Sequence, residues 1–241
     1  MFKSPNIRDT RYFLYQYNDK NFRFVKIKSC RLPGWESTTN DKSHFVPRVT
    51  PDDEIDRVSL SRSRRMIREL ALCNDFEYFA TLTINSVNCD RFSLTACQDL
   101  LRKKLKKLKR INKNFAYIFI TEKHKNGAFH FHGLIKGVTD FYINDNGYLS
   151  HSLFDELGFN SFSKIRDYTK TCNYILKYIT KDCVRNEKGT IYISSRGLKK
   201  AEKYEIKDLD IPYDFDNDYC SIKDYEIDKI PDEIKLKLLT L

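Results

Sequence analysis

The segment that most restricts the fold is residues 115–136, in which two strand-like runs flank Lys125-Asn126-Gly127. FAYIFITE (115–122) and AFHFHGLIK (128–136) are rich in aromatic and β-branched residues, a composition typical of strands. A connection this short joins neighbouring antiparallel strands, because parallel strands need a long crossover. The sequence therefore predicts a β-hairpin, and with it an antiparallel sheet.

The rest of the chain alternates between strand-like and helix-like patterns. Strands are predicted in the segments 11–29 (two strands around an NDKN turn), 76–84 and 190–195; helices are predicted at 59–72, 94–110 and 167–181; and residues 142–162 are predicted to be irregular. Strands separated by helices, with at least one hairpin, predict an α+β fold with a central antiparallel β-sheet and flanking helices.

The length of the hairpin loop decides which side chains face His130. A two-residue turn at Asn126-Gly127 places Glu122 on the opposite face of the sheet. A three-residue loop, with Gly127 in the left-handed conformation of a bulge, places Glu122 directly across from His130. Glycine in the third loop position suits that geometry, so we favour the three-residue loop.

His130 and His132 are two residues apart on one strand and therefore point to the same face. With Glu122 they form a set of two imidazoles and one carboxylate, which leaves coordination positions open as a catalytic metal requires. The mixed nitrogen and oxygen set suits Mg²⁺ or Mn²⁺ for phosphate chemistry, although zinc would also bind. His124 falls on the same face and is an alternative ligand to Glu122.

The segment CNYILKYITKD (172–182) contains Tyr-x-x-Lys twice in register. On an α-helix, Tyr174, Lys177, Tyr178 and Lys181 share one arc of about 100°. A lysine ammonium beside a tyrosine favours the phenolate, which is the attacking form, and can also hold a phosphate. The combination predicts catalytic tyrosines that attack a phosphodiester; the alternative is an amphipathic helix whose tyrosines pack and whose lysines extend to solvent.

Charge is distributed unevenly along the chain. The net charge is +10, yet residues 205–241 hold 11 acidic and 5 basic residues, so the first 204 residues are more basic than the total indicates. A body this basic favours a polyanionic partner. The predicted DNA contacts are Lys103, Lys104, Lys106 and Lys107 on the basic helix, together with Arg196. A solvated helix face is the alternative; a membrane-surface helix is disfavoured because Trp and Phe anchors are missing.

Four segments together resemble the HUH endonuclease superfamily, specifically the rolling-circle replication initiators of bacteriophages and plasmids. These segments are FATLTI (79–84), HFHGLI (130–135) with Glu122 upstream, YILKYITK (174–181) and ISSRGLKK (193–200). The resemblance implies an RRM/ferredoxin-like sheet, a divalent metal, and 5′-phosphotyrosine chemistry on single-stranded origin DNA. It implies metal ligation by Glu122, His130 and His132, and a nucleophilic role for Tyr174 and Tyr178.

These patterns predict three parts: an N-terminal hairpin and loop extension (1–59), an HUH nicking-joining endonuclease domain (60–205) and an acidic C-terminal tail (206–241). The chain has no Gly-x-x-x-x-Gly-Lys-Ser/Thr motif, so we expect a separate or host helicase. No apolar run approaches about 18 residues and the N-terminus does not resemble a secretory signal. We therefore expect no membrane partner, a location in the bacterial cytoplasm, and free, mostly buried cysteines.

The leading hypothesis is a replication initiator that nicks and religates origin DNA. A transposase or a mobilisation relaxase would use the same chemistry on different DNA. A non-catalytic nucleic-acid-binding module would bind without metal dependence or covalent product, and a metal hydrolase that uses water would function without either tyrosine.

Overall fold

The computed structural model describes residues 6–31, 52–179, 190–206 and 220–226. The chain divides into two compact units, one made of Met1–Val49 with Lys200–Leu241 and the other of Thr50–Lys199. The boundaries that the sequence suggests at residues 59 and 205 stay predictions, because these contacts do not test which segments fold independently.

The helices are α1 (Asp52–Leu72), α2 (Leu94–Ile111), α3 (Ser152–Asp155) and α4 (Tyr168–Tyr174), which continues into a 3₁₀ turn (Ile175–Tyr178). The strands are β1 (Asn6–Asn18), β2 (Asn21–Arg31), β3 (Tyr78–Thr83), β4 (Ala116–Lys123), β5 (Phe129–Lys136), β6 (Tyr142–Ile143), β7 (Leu149–Ser150), β8 (Asn160–Lys164), β9 (Tyr192–Ser194), β10 (Glu202–Ile206) and β11 (Cys220–Glu226).

The first unit contains a four-stranded antiparallel sheet in the order β10-β1-β2-β11. Its centre is the N-terminal hairpin predicted from the aromatic-rich segment 11–29, with the turn at the expected place. The Asn18 side-chain oxygen accepts from the Lys20 and Asn21 amides, each at 2.9 Å, and so fixes that turn. Phe13, Phe22 and Phe24 are buried and provide its apolar contacts.

The second unit is built on a five-stranded antiparallel sheet in the order β8-β3-β5-β4-β9. The predicted α+β class with a central antiparallel sheet is thereby confirmed. Successive side chains alternate between its two faces, and the core lies on one of them, where Ala80, Leu82, Phe119 and Phe131 pack against α2. The predicted apolar stripe of α2, made of Leu101, Leu105 and Leu108, is fully used in this core.

Three predicted boundaries are wrong. Helix α1 begins at Asp52 rather than near Ser59, because the acidic residues after Pro51 suit a helix start. Residues 142–162 are not irregular: they contain β6, β7 and α3, and β8 begins at Asn160, with the weak strand sequence NSFSK. The helix predicted over 167–181 loses α geometry after Tyr174, as helix ends commonly tighten into 3₁₀ turns.

Four of the cysteines, Cys73, Cys89, Cys97 and Cys172, are free, and the last two are buried, which agrees with the expectation of free thiols. Burial raises the pKa of the Cys97 and Cys172 thiols to about 12, so both are protonated at neutral pH. None of the helices in the described ranges combines the length and the apolar character that crossing a bilayer demands.

Candidate active site

The β4–β5 hairpin has the register of the three-residue loop. Glu122 pairs with His130, and Ile120 pairs with His132, across the two strands. Gly127 has φ +86°, the left-handed conformation that the loop requires, and the His124 amide donates to the Ala128 carbonyl at 2.9 Å. The hairpin therefore places Glu122, His130 and His132 on one face of the sheet, opposite the face that packs on α2.

Two threonines of the neighbouring strand β3 contact the histidines. Thr83 pairs with His130 and Thr81 with His132 in the strand register. The Thr83 hydroxyl lies 3.0 Å from His130 Nδ1, and the Thr81 hydroxyl lies 3.4 Å from His132 Nδ1. Each imidazole is thus held at Nδ1, which leaves Nε2 as the nitrogen directed away from β3.

The carboxylate of Glu122 is the second contact of this cluster. Its Oε2 atom lies 2.7 Å from His132 Nε2 and 3.8 Å from His124 Nε2. The His124 ring stacks on the His130 ring with centroids 3.5 Å apart. Three imidazoles and one carboxylate are consequently close together, as expected from the alternation along the two strands.

Burial lowers the pKa of both strand histidines. For His130 the pKa falls to about 4, through loss of hydration and then through the neighbouring His124 and His132. For His132 burial also lowers the pKa, while the hydrogen bond to Glu122 opposes the change. Both rings are therefore neutral at pH 7, the protonation state that a metal ligand needs.

The donor set is chemically suited to a divalent cation, since two neutral imidazoles and a carboxylate lie on one face. In the described ranges, no three His, Cys, Asp or Glu side chains are arranged to hold a metal ion in this conformation. Glu122 is instead hydrogen-bonded to His132, and His130 to Thr83. Metal ligation by Glu122, His130 and His132 stays a prediction.

The two tyrosines lie on α4 and its 3₁₀ extension. Ile175 and Ile179 are completely buried and anchor this segment, while the Arg64 guanidinium donates to the Ile179 carbonyl at 2.6 Å. Tyr174 is 47% exposed, and the Tyr178 hydroxyl donates to the Tyr174 hydroxyl at 3.0 Å. The segment is therefore fixed on its buried side and presents a pair of phenols on the other.

Ring contacts join the tyrosines to the histidine cluster. The Tyr178 ring stacks on His132 with centroids 3.7 Å apart and an interplanar angle of 14°. Phe79, on β3, lies between the groups, 6.0 Å from the His132 ring and 5.8 Å from the Tyr174 ring. The structure thus brings together the two motifs that the sequence placed more than 40 residues apart.

Lys177 lies directly beside both phenols. Its Nζ atom is 3.5 Å from the Tyr174 ring centroid and 4.9 Å from that of Tyr178. Hydrogen bonds from Lys177 and then from Tyr178 lower the pKa of Tyr174. Burial, followed by the contact with Tyr174, raises the pKa of Tyr178. Lys181, the other predicted lysine, lies outside the described residues.

The predicted DNA contacts are not gathered at this site. Helix α2 packs on the opposite face of the sheet, where Lys103, Lys106 and Lys107 are exposed. Lys104 is buried and its ammonium is paired with Glu156, which gives this lysine a packing role. Arg196 is exposed in the turn after β9. DNA contact by these residues stays a prediction.

Sequence reasoning missed Thr81, Thr83, Phe79 and Arg64. The first three alternate along FATLTI (79–84), and a strand expected beside the histidines could have revealed them as residues facing the same side. Arg64 was considered only as a DNA contact, and its bond to the Ile179 carbonyl spans 115 positions of sequence, which no local pattern indicates.

The fold and the site together define a class: an antiparallel sheet domain in which two histidines and a carboxylate face a pair of tyrosines. Residues 77–183 match the family of the replication-associated protein ORF2, a stretch that contains both motifs. The chain is therefore similar, over this region, to a replication-associated family. Neither the curated proteins nor the solved structures provided a match.

Proposed function

We propose that this protein is a replication initiator that nicks and rejoins single-stranded origin DNA through Tyr174 and Tyr178. The observation that carries the proposal is the contact between the tyrosine pair and the histidine cluster, with Tyr178 stacked on His132 at 3.7 Å. The match to a replication-associated family over residues 77–183 supports the biological context.

The proposed reaction is a transesterification at one phosphodiester. The phenolic oxygen of the attacking tyrosine forms a bond to phosphorus, and the bond between phosphorus and the 3′ oxygen breaks. The phenol loses its proton, and the leaving 3′ oxygen gains one. The products are a 5′-phosphotyrosine and a free 3′ hydroxyl, and the reverse reaction with a 3′ hydroxyl rejoins the strand.

Glu122, His130 and His132 would hold the divalent cation, Mg²⁺ or Mn²⁺. When bound, such a cation supplies positive charge that polarises the scissile phosphate. The chain's own contribution is to orient the ligands: Thr83 and Thr81 hold the imidazoles at Nδ1, at 3.0 Å and 3.4 Å. His124 stays an alternative ligand to Glu122.

Tyr174 is the better candidate for the first attack. It is half exposed, and the Lys177 ammonium lies 3.5 Å from its ring centroid, where it also favours an approaching phosphate. Tyr178 is held against His132 and donates to Tyr174, an arrangement that suits a second nucleophile for the following round. A separate or host helicase would unwind the template.

The test is covalent capture of DNA by the full chain. Single-stranded oligonucleotides that tile the replicon encoding the protein are incubated with Mn²⁺ and separated on a denaturing gel. A protein–DNA band is expected for the wild type, weakened in Tyr174→Phe, and absent in the double Phe variant and with EDTA. Tyr148→Phe, at an exposed tyrosine outside the site, is the matched control and keeps full activity.

Other outcomes point to the other functions. Cleavage that persists without a covalent band in the double variant indicates a hydrolase that uses water. Binding that is sensitive to salt, with no cleavage and no metal dependence across the complete tiling, indicates a nucleic-acid-binding module and contradicts the proposal. Covalent capture confined to transfer-origin or transposon-end sequences indicates a relaxase or a transposase.

A further inference from the structure

A groove opens beside Tyr174, between the end of β8 and helix α4. Its volume of about 730 Å³ is within the range of pockets that hold small organic ligands. The residues around it that matter for its chemistry are Phe79, Ser163, Ile165, Arg166, Lys170 and Tyr174. Ser163 pairs with Phe79 across β8 and β3, so the groove continues the sheet face that carries the histidines.

The groove combines an apolar surface with a basic rim. Phe79 and Ile165 provide the apolar part, whereas Lys164, Arg166 and Lys170 provide three positive charges. Asp167 is the carboxylate in the lining, and it already accepts from the Lys170 amide and pairs with the Lys170 ammonium at 3.0 Å. The balance therefore favours an anionic ligand that also has a flat apolar part.

A nucleotide has this combination of properties, since its base is flat and its phosphate is anionic. Stacking of a base on an aromatic side chain is available only where the base is not enclosed in a duplex, so the groove suits a single strand. Duplex DNA would offer the rim its phosphates but would leave Phe79 and Ile165 uncovered.

We propose that this groove binds one nucleotide of the single-stranded DNA next to the scissile phosphate, with the base against Phe79 and the phosphate at Arg166. The inference rests on the proposed function, because it takes Tyr174 as the point of attack. Engagement of a base here would set which phosphate of the strand reaches Tyr174.

The test measures DNA binding by the full chain in EDTA, so that it is independent of cleavage. Fluorescence anisotropy compares a labelled 20-nucleotide thymidine oligomer with an abasic oligomer of the same length. Arg166→Ala removes the rim charge, and Ser163→Trp fills the groove from an exposed position on the outermost strand of the sheet order. Lys20→Ala, an exposed cation in the β1–β2 turn, is the charge-matched control.

We expect Arg166→Ala to raise the Kd severalfold and to reduce the slope of log K against log salt by about one. We expect Ser163→Trp to weaken binding of the thymidine oligomer roughly tenfold, and binding of the abasic oligomer much less, because the lost contact is to a base. Lys20→Ala should stay within about twofold of wild type.

Wild-type affinity and salt slope in the Arg166 variant overturn the inference. So does an equal effect of Ser163→Trp on both oligomers, since that places no base in the groove. If Ser163→Trp fails to fold by circular dichroism, Arg166→Glu tests the same groove from an exposed position, and wild-type binding by that variant likewise overturns the inference. Failure of covalent capture contradicts the proposed function alone, because this assay contains no metal.

Discussion

Replacing Thr83 by valine removes the hydroxyl that holds His130 while keeping the shape of the side chain. The hydroxyl lies 3.0 Å from His130 Nδ1, and the half-buried ring is neutral at pH 7 because burial lowers its pKa to about 4. Loss of one such hydrogen bond costs about 1 kcal/mol of unfolding free energy. Loss of an outer contact to a metal-binding imidazole typically weakens metal affinity by about 10- to 100-fold. We therefore expect Thr83→Val to lower Mn²⁺ affinity at least about tenfold.

The assay is calorimetric titration of Mn²⁺ into the full chain, with thermal unfolding measured in EDTA alongside. The loss of about 1 kcal/mol corresponds to a Tm lower by roughly 2–4 °C. Thr83→Ser keeps the hydroxyl and should retain most of the affinity, and Thr81→Val should have the smaller effect because its bond is longer, at 3.4 Å. Wild-type Mn²⁺ affinity in Thr83→Val would refute the assigned role of Thr83, and equal losses for both valine variants would refute the ranking by distance.

Gly133→Ala should destabilise the fold by about 1–3 kcal/mol in a urea titration, because the new Cβ would lie 2.8 Å from the Ile118 carbonyl oxygen and closer still to the Phe119 ring; a change below about 0.5 kcal/mol would contradict this packing. The Lys104 hydrogen bond lowers the pKa of Glu156, so the stabilisation is complete above the ordinary carboxyl pKa near 4.5 and is lost as pH falls through the lower native value. Thermal melts should accordingly show Glu156→Gln less stable than wild type at pH 7 and equal to it at low pH, whereas a gap that persists in acid would count against the pairing. Neutralising three exposed lysines of α2 should flatten the salt dependence of DNA binding by up to about three, and an unchanged slope would remove α2 from the interface. These lysines are Lys103, Lys106 and Lys107.

The hairpin register was predictable because it follows from local chemistry. Gly127 accepts a left-handed conformation that most residues avoid, and the period of two along a strand then determines which side chains share a face. Glu122, His130 and His132 could thus be grouped by sequence reasoning alone. The same reasoning could not identify Thr83 or Thr81 as their partners, because pairing with β3 is a choice between strands distant in sequence.

The tyrosine segment shows where sequence reasoning stops. Ideal α-helical geometry placed Tyr174, Lys177 and Tyr178 on one arc, and the structure does bring these three together. The 3₁₀ turn from Ile175 to Tyr178, however, depends on the burial of Ile179 and on the bond from Arg64, both tertiary contacts. Strand β8 was missed for a related reason: NSFSK has weak strand propensity and is held by its pairing with β3.

The alternation along β5 separates two kinds of selection on neighbouring residues. Phe129 and Phe131 point into the core beneath α2, whereas His130 and His132 point to the opposite face of the same strand. Mutations at the first pair are expected to reduce the amount of folded protein, and mutations at the second pair to reduce replication at normal protein levels. A lineage can therefore exchange the chemistry of this strand one alternate position at a time, while the packing that keeps the sheet folded is inherited unchanged.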